Sequence, residues 1–270
     1  MFNTYSVTQM VATLCEVLGV EKPFQAASSI PMAKDWLTDR LQGRKADRIL
    51  VYNPDCIGDW HWRKYPEIFI PVVKAAPLAV PVSTVSPSWT PVCFGSMYTG
   101  VLPPVHGIRC YTKPVITVDS FFDALPRAGK KAALVAVKDS SMAKIYLNRP
   151  IDYFIEDYDT QATEKALSLI REDKYDVICV YNQEYDDLIH RTTPESSYAI
   201  NAMRNHTQAF DSLTNAVRKY WKGHDSVVVF APDHGNHYDW DGHGNHGEYR
   251  EEDININHFY GVFPREDVTR

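Results

Sequence analysis

Short β-branched runs alternate along this chain with segments of helical periodicity, and that alternation constrains the fold more than any other feature. The runs are RILVYNPD at 48–55, KAALVAVKD at 131–139, YDVICVYNQEYD at 175–186 and DSVVVFAPDHG at 225–235. Each is short, apolar and halted by turn-forming residues, as a buried strand is. Between them lie helical patterns at 163–173 and from about Ser196 to Trp221, where Ile200, Met203, Phe210, Leu213, Val217 and Tyr220 fall on one face. Strands alternating with helices are βαβ units, so the expected architecture is α/β: a three-layer αβα sandwich around a mostly parallel sheet. The first 45 residues read as a helical extension: Val7, Met10, Val11, Leu14, Val17 and Leu18 recur at helical spacing before Gly19, and a second short helix ends at Gly43. The stretch 75–91, AAPLAVPVSTVSPSWTP, reads as a proline-punctuated loop. No linker divides the chain, which makes residues 1–270 a single domain.

The charge distribution narrows the partners. Net charge is −6, with 28 lysines and arginines scattered rather than clustered. That speaks against a nucleic-acid or anionic-membrane surface. A small anionic substrate would then need a local positive source, such as a metal. The opening residues lack the charged and apolar regions of a secretory signal, and no run approaches the roughly 18 apolar residues of a membrane span. The five cysteines, odd in number and widely spaced, read as free thiols of a reducing, cytoplasmic compartment. Oligomeric state is not readable.

In open α/β sheets, ligands gather beyond the carboxyl ends of the strands. Three of the predicted strands deliver acids there: Asp55, then Asp186 with His190 four residues on, then Asp233 with His234. Carboxylate oxygen plus neutral imidazole suits a zinc-like ion. Asp186-x3-His190 places both side chains on one face of a helical turn. After Asp233 comes a loop with glycine at 235, 242, 244 and 247, which permits the backbone to fold back on a site and return His246 or His243 to it. His237 and His258 read as supporting or structural. Taken singly, each pair has an ordinary explanation as a surface pair or a turn former; their conjunction at three strand ends points to a metal centre.

Thr90 precedes Pro91 and reads as the N-cap of a helix PVCFGSMYT. A helix N-terminus suits a phosphate, and a hydroxyl there becomes a nucleophile if a metal lowers its pKa.

Thr90, Thr99-Gly100, Pro103 and His106-Gly107-Ile108 together resemble the nucleophile segment of type I phosphodiesterases and nucleotide pyrophosphatases, a branch of the alkaline phosphatase superfamily. The threonine stands ten residues before the glycine of the TG pair, as in that family, and P-x-x-HGI follows. The strand-end Asp, the Thr, Asp-x3-His, Asp-His-Gly and a late His-Gly occur in the family's order over residues 46 to 264. The resemblance implies an alkaline phosphatase-like fold with a minimal cap, and two divalent ions, zinc first, with manganese or iron as alternatives. It implies that Asp55, Thr90, Asp233 and His234 surround one ion, and that Asp186, His190 and a late histidine hold the other. The family's G-x-HG context matches Gly244-Asn245-His246-Gly247 and so selects His246 over His243. The family's asparagine after HGI is missing from RCYTKP; Tyr111, Arg109, Lys113 or backbone amides near Pro91 are the candidates to bind the phosphate in its place.

The implied activity is metal-dependent hydrolysis of phosphodiester or pyrophosphate bonds in small molecules, through a covalent phospho-intermediate on Thr90. The sulfatase signature C-x-P-x-R is absent around Thr90-Pro91-Val92-Cys93. The alternatives are a phosphomonoesterase or phosphate mutase of the same superfamily, and a non-catalytic metal-binding scaffold.

Overall fold

In the computed structural model, which describes residues 1–266, the core is an eight-stranded sheet. Its strands are β1 (Tyr5–Ser6), β2 (Arg48–Pro54), β3 (Leu78–Ser83), β4 (Ala132–Val137), β5 (Asp152–Glu156), β6 (Val177–Asn182), β7 (Ser226–Phe230) and, after a small hairpin of β8 (His237–Tyr238) with β9 (Gly244–Asn245), β10 (Asn255–Phe263). The spatial order is β1-β3-β10-β7-β2-β6-β4-β5. Within this sheet only β10 runs antiparallel to its neighbours, β3 and β7, and the other pairs are parallel. The central strands are buried along their whole length, which is why they read as continuous apolar runs rather than alternating ones.

Helices cover both faces. On one, Asp159–Glu172 and the 24-residue Ser197–Tyr220 pack against each other and over β6 and β7. On the other, Met10–Leu18 and Thr90–Thr99 pack together, with Ser141–Ile145 and Phe121–Arg127 beside the second of them. The expected three-layer αβα sandwich is therefore present. Val7, Met10, Val11 and Leu14, from the first 45 residues, are fully buried in the common core. All five cysteines are free.

The stretch expected to be a loop, 75–91, is a loop only in part, because Leu78–Ser83 is β3. Its prolines hid it. Pro81 is tolerated because β1 covers β3 only at Val82 and Ser83, so no strand requires an N–H from Pro81 on that side. Sequence periodicity also passed over β10, whose buried positions include Asn255, Asn257 and His258. Among the described residues, no helix is long and apolar enough to cross a membrane.

Candidate metal centre

Three adjacent strands, β7, β2 and β6, run parallel and bring their carboxyl ends to one rim. Asp233 follows β7, Asp55 follows β2, and Asp186 sits in the short helix Glu184–Ile189 that follows β6. The Asp55 N–H bonds to the Asn182 carbonyl at 2.9 Å, which continues the β2–β6 ladder into the site. Cys56 then takes a left-handed backbone, φ 70°, and its N–H reaches Asp233 Oδ1 at 3.3 Å. This is an uncommon conformation for a non-glycine residue, held here by surrounding structure.

Thr90 arrives from β3. It is the first residue of the helix Thr90–Thr99, and Trp89, in extended conformation, is the N-cap. The expectation that Thr90 itself caps the helix is thus corrected. The amides of Val92 and Cys93 bond to the Trp89 carbonyl, at 2.8 and 2.9 Å, so the backbone near Pro91 is already engaged. Freed from capping, the buried Thr90 hydroxyl lies 3.2 Å from His234 Nε2.

The same His234 Nε2 lies 3.3 Å from Asp55 Oδ1 and 3.4 Å from Asp233 Oδ2. Beside this group stands a second triangle. His190 Nε2 is 3.2 Å from His246 Nε2 and 3.4 Å from Asp186 Oδ1, and His246 Nε2 is 3.3 Å from that same oxygen. Donors at 2.0–2.1 Å from a tetrahedral ion stand ~3.3–3.4 Å from one another, so both clusters have the spacing of ligands around a shared cation. The His234 and His246 rings stack, 4.1 Å between centroids, so the two clusters adjoin.

Each imidazole is aimed the same way. His234 donates Nδ1–H to the Gly235 carbonyl, His246 to the Ser88 carbonyl and His190 to the Gly244 carbonyl, at 2.9, 2.9 and 3.1 Å. That fixes the tautomer and turns every Nε2 lone pair inward. The carboxylate oxygens they face, Asp55 Oδ1, Asp186 Oδ1 and Asp233 Oδ2, are buried without a hydrogen-bond partner. Orphaned buried oxygens are costly, and a cation is the partner that removes the cost. The residues present therefore fit a pair of divalent ions.

Electrostatics agrees. Burial, then the charge of Asp186, pushes the Asp55 carboxyl up to about 8, and burial with Asp55 raises Asp233. Burial alone would lower His246, but the charge of Asp186 overcomes it and raises the imidazole to about 9. Burial would likewise raise Asp186, but His246 and His190 hold it well below the usual carboxylate range. Burial and the positive field of His246 keep His234 neutral. The protein alone must borrow protons to balance its carboxylates, a task a divalent ion takes over.

A cavity of about 140 Å³ opens beside the cluster, lined by Asp55, Thr90, Tyr181 and Asp186 together with Tyr111, Lys113, Lys138, Asp139 and Asp187. Lys113 Nζ bonds to the Asp139 carbonyl at 2.9 Å and sits 5.5 Å over the Tyr111 ring. Of the candidates to replace the missing asparagine, Tyr111 and Lys113 reach the cavity; Arg109 is exposed and bonds to the Pro104 carbonyl. His243 is half-exposed and pairs with Asp241, away from the clusters. His237 bonds to Asp253 at 2.6 Å and His258 to the Pro232 carbonyl at 3.0 Å, next to Asp233.

Several supporting residues carried no sequence signal. Asn53 donates to the Ala231 carbonyl at 2.7 Å and accepts from the Tyr98 hydroxyl at 2.5 Å, tying β2 to the segment after β7 and to the Thr90 helix. The Tyr181 hydroxyl donates to Asp55 Oδ2. Burial, then the charge of Asp55, holds that phenol protonated, so it is a donor at neutral pH. Ser88 binds both His246, through its carbonyl, and the Gly247 N–H, through its hydroxyl.

No protein-family model matches the chain, and no curated protein matches it in sequence. Solved structures do. The chain is similar to murine ectonucleotide pyrophosphatase/phosphodiesterase 5, in an inactive form complexed with AMP, at 17% identity and TM-score 0.55, over 70% of this chain and 57% of that one. It is similar to phosphonoacetate hydrolase from Sinorhizobium meliloti complexed with phosphonoacetate, at 16% identity and TM-score 0.51, over 73% of this chain and 59% of that one. A 2-O glycosaminoglycan sulfatase matches at 11% identity and TM-score 0.58, over 80% of this chain and 64% of that one. The matched part is thus about three fifths of each of these proteins. All three are of the alkaline phosphatase superfamily, and this chain has the alkaline phosphatase-like fold that they share.

Proposed function

We propose that this protein is a metal-dependent hydrolase of phosphodiester or pyrophosphate bonds in small molecules, with Thr90 as its nucleophile. One observation carries the proposal: three imidazoles, each tied at Nδ1 to a backbone carbonyl, aim Nε2 at three orphaned carboxylate oxygens beside a buried threonine hydroxyl. Asp55, Thr90, Asp233 and His234 would hold one divalent ion, and Asp186, His190 and His246 the other. Zinc suits the set, and manganese or iron is compatible with carboxylate and imidazole donors. When bound, the pair supplies positive charge that lowers the pKa of a nearby hydroxyl and stabilises a phosphoryl group in transfer.

The chain does the rest by position. Thr90, freed from capping, presents Oγ1 to the cavity from the rigid start of its helix. It loses its proton to water, its oxygen forms a bond to phosphorus, and the bond to the leaving oxygen breaks. Water then hydrolyses the phosphothreonine and restores the hydroxyl. Tyr111 and Lys113, which line the cavity, would contact the non-bridging oxygens, where charge grows in the transition state.

The cavity also supports a second reading, a phosphomonoesterase. Its volume of about 140 Å³ suits a compact substrate. A panel of one chromogenic diester and the matching monoester, each with zinc and with manganese, separates the two by kcat/KM. Turnover by neither wild-type form, with metal bound, would leave a non-catalytic metal-binding scaffold.

A further inference from the structure

The two oxygens of Asp55 have different surroundings. Oδ1 is buried without a hydrogen-bond partner and lies 3.3 Å from His234 Nε2. Oδ2 accepts the Tyr181 hydroxyl. Tyr181 stands on β6, in register with Asn53 of β2, and its ring meets Phe94 edge-on at 5.3 Å between centroids. Phe94 belongs to the helix that begins at Thr90. Asp233 shows the same division: Oδ1 accepts the Cys56 N–H, while Oδ2 has no partner.

We propose that Tyr181 is a positioning residue of the metal centre, one that commits Asp55 Oδ2 and so presents Oδ1 alone to the ion that would share Thr90. This rests on the two-ion assignment above. The terminal torsion of an aspartate is broad and roughly two-fold, so the carboxylate alone does not choose between its oxygens. A phenol clamped between neighbouring strands and the nucleophile's helix makes that choice. It thereby leaves the place of a second carboxylate oxygen to Thr90 Oγ1. Residues that orient a metal ligand from behind typically matter by 10–100-fold in metal affinity. Tyr181 acts on one ion only, because the imidazoles of the other, His190 and His246, are oriented by different partners, Gly244 and Ser88.

The test is a Zn²⁺ titration of metal-free protein against a chromophoric chelator, with wild type, Tyr181→Phe and Asp55→Ala compared. Wild type should take up two ions. Tyr181→Phe, which keeps the ring and its packing, should weaken one step by 10–100-fold and leave the other unchanged. The weakened step should be the one Asp55→Ala abolishes. If Tyr181→Phe fails to fold by circular dichroism, 3-fluorotyrosine at position 181 alters the donor without altering the shape, and it should shift the same step alone. Wild type that does not bind two ions would overturn the two-ion assignment itself. Wild type that binds two, with a variant that binds both unchanged or loses both equally, would overturn the role of Tyr181 and leave that assignment standing.

Discussion

The carbonyl of Ser88 accepts the Nδ1–H of His246 at 2.9 Å, across 158 residues of sequence. Ser88 lies two residues before Thr90, so the segment that delivers the hydroxyl also orients an imidazole of the neighbouring cluster. Gly247, the next residue, donates its N–H to the Ser88 hydroxyl at 3.1 Å. Thr90 and the second cluster are therefore one mechanical unit, not two sites placed side by side.

Gly247 should be irreplaceable in that unit. Its φ is +108°, and a Cβ there would stand 2.1 Å from Trp89 Nε1. Gly247→Ala should cost roughly 1–3 kcal/mol from backbone strain alone and should displace His246. Thermal unfolding and metal stoichiometry read the two effects. A variant that keeps wild-type stability and both ions would refute the interlock.

Removing the Thr90 hydroxyl should separate chemistry from stability. Its hydrogen-bond contact is with His234. Thr90→Ala should lower kcat by about 10³-fold or more, while Thr90→Ser keeps measurable turnover. The unfolding free energy of the alanine variant should change by about 1 kcal/mol or less. Full activity in Thr90→Ala would rule out this nucleophile.

Asn53 should matter for stability out of proportion to its size. Asn53→Ala leaves the Tyr98 hydroxyl and the Ala231 carbonyl buried without their partner. Two such groups cost about 2–6 kcal/mol. Urea unfolding of the chelated protein measures it, and a loss below about 1 kcal/mol would show that these bonds are replaced by others.

Acid should destabilise the protein through buried neutral histidines. Burial lowers His61 and His206 to about 3 and His258 to about 4. The unfolded chain takes up these protons near pH 6.5, whereas the folded chain does not. Each histidine's contribution is therefore complete above pH 6.5 and is lost as pH falls toward 3–4, at up to about 1.4 kcal/mol per pH unit. Unfolding of metal-free His206→Gln should show a shallower loss between pH 6.5 and 4.5 than wild type. Parallel curves would contradict a neutral His206.

Much of this protein is written locally in its sequence. Continuous apolar runs marked β2, β4, β6 and β7, because strands buried on both faces admit little else. Helical periodicity and the glycine after it placed Met10–Leu18 and its left-handed end at Gly19, φ 72°. Thr90, Asp55, Asp186, His190, Asp233, His234 and His246 could be named as candidates from acids at strand ends and from the family resemblance, and the structure brings their side chains to one rim. Only the tertiary structure decided the rest. It made 78–83 a strand by supplying β10 as a partner, and a partner's hydrogen bonds leave no mark on the residues that receive them. It gave Asn53, Cys56, Ser88 and Tyr181 their work, since each bonds to a group 126 to 180 residues away and local sequence carries no signal for such a contact. Composition and period are properties of neighbours in the chain; the direction of a lone pair is a property of neighbours in space.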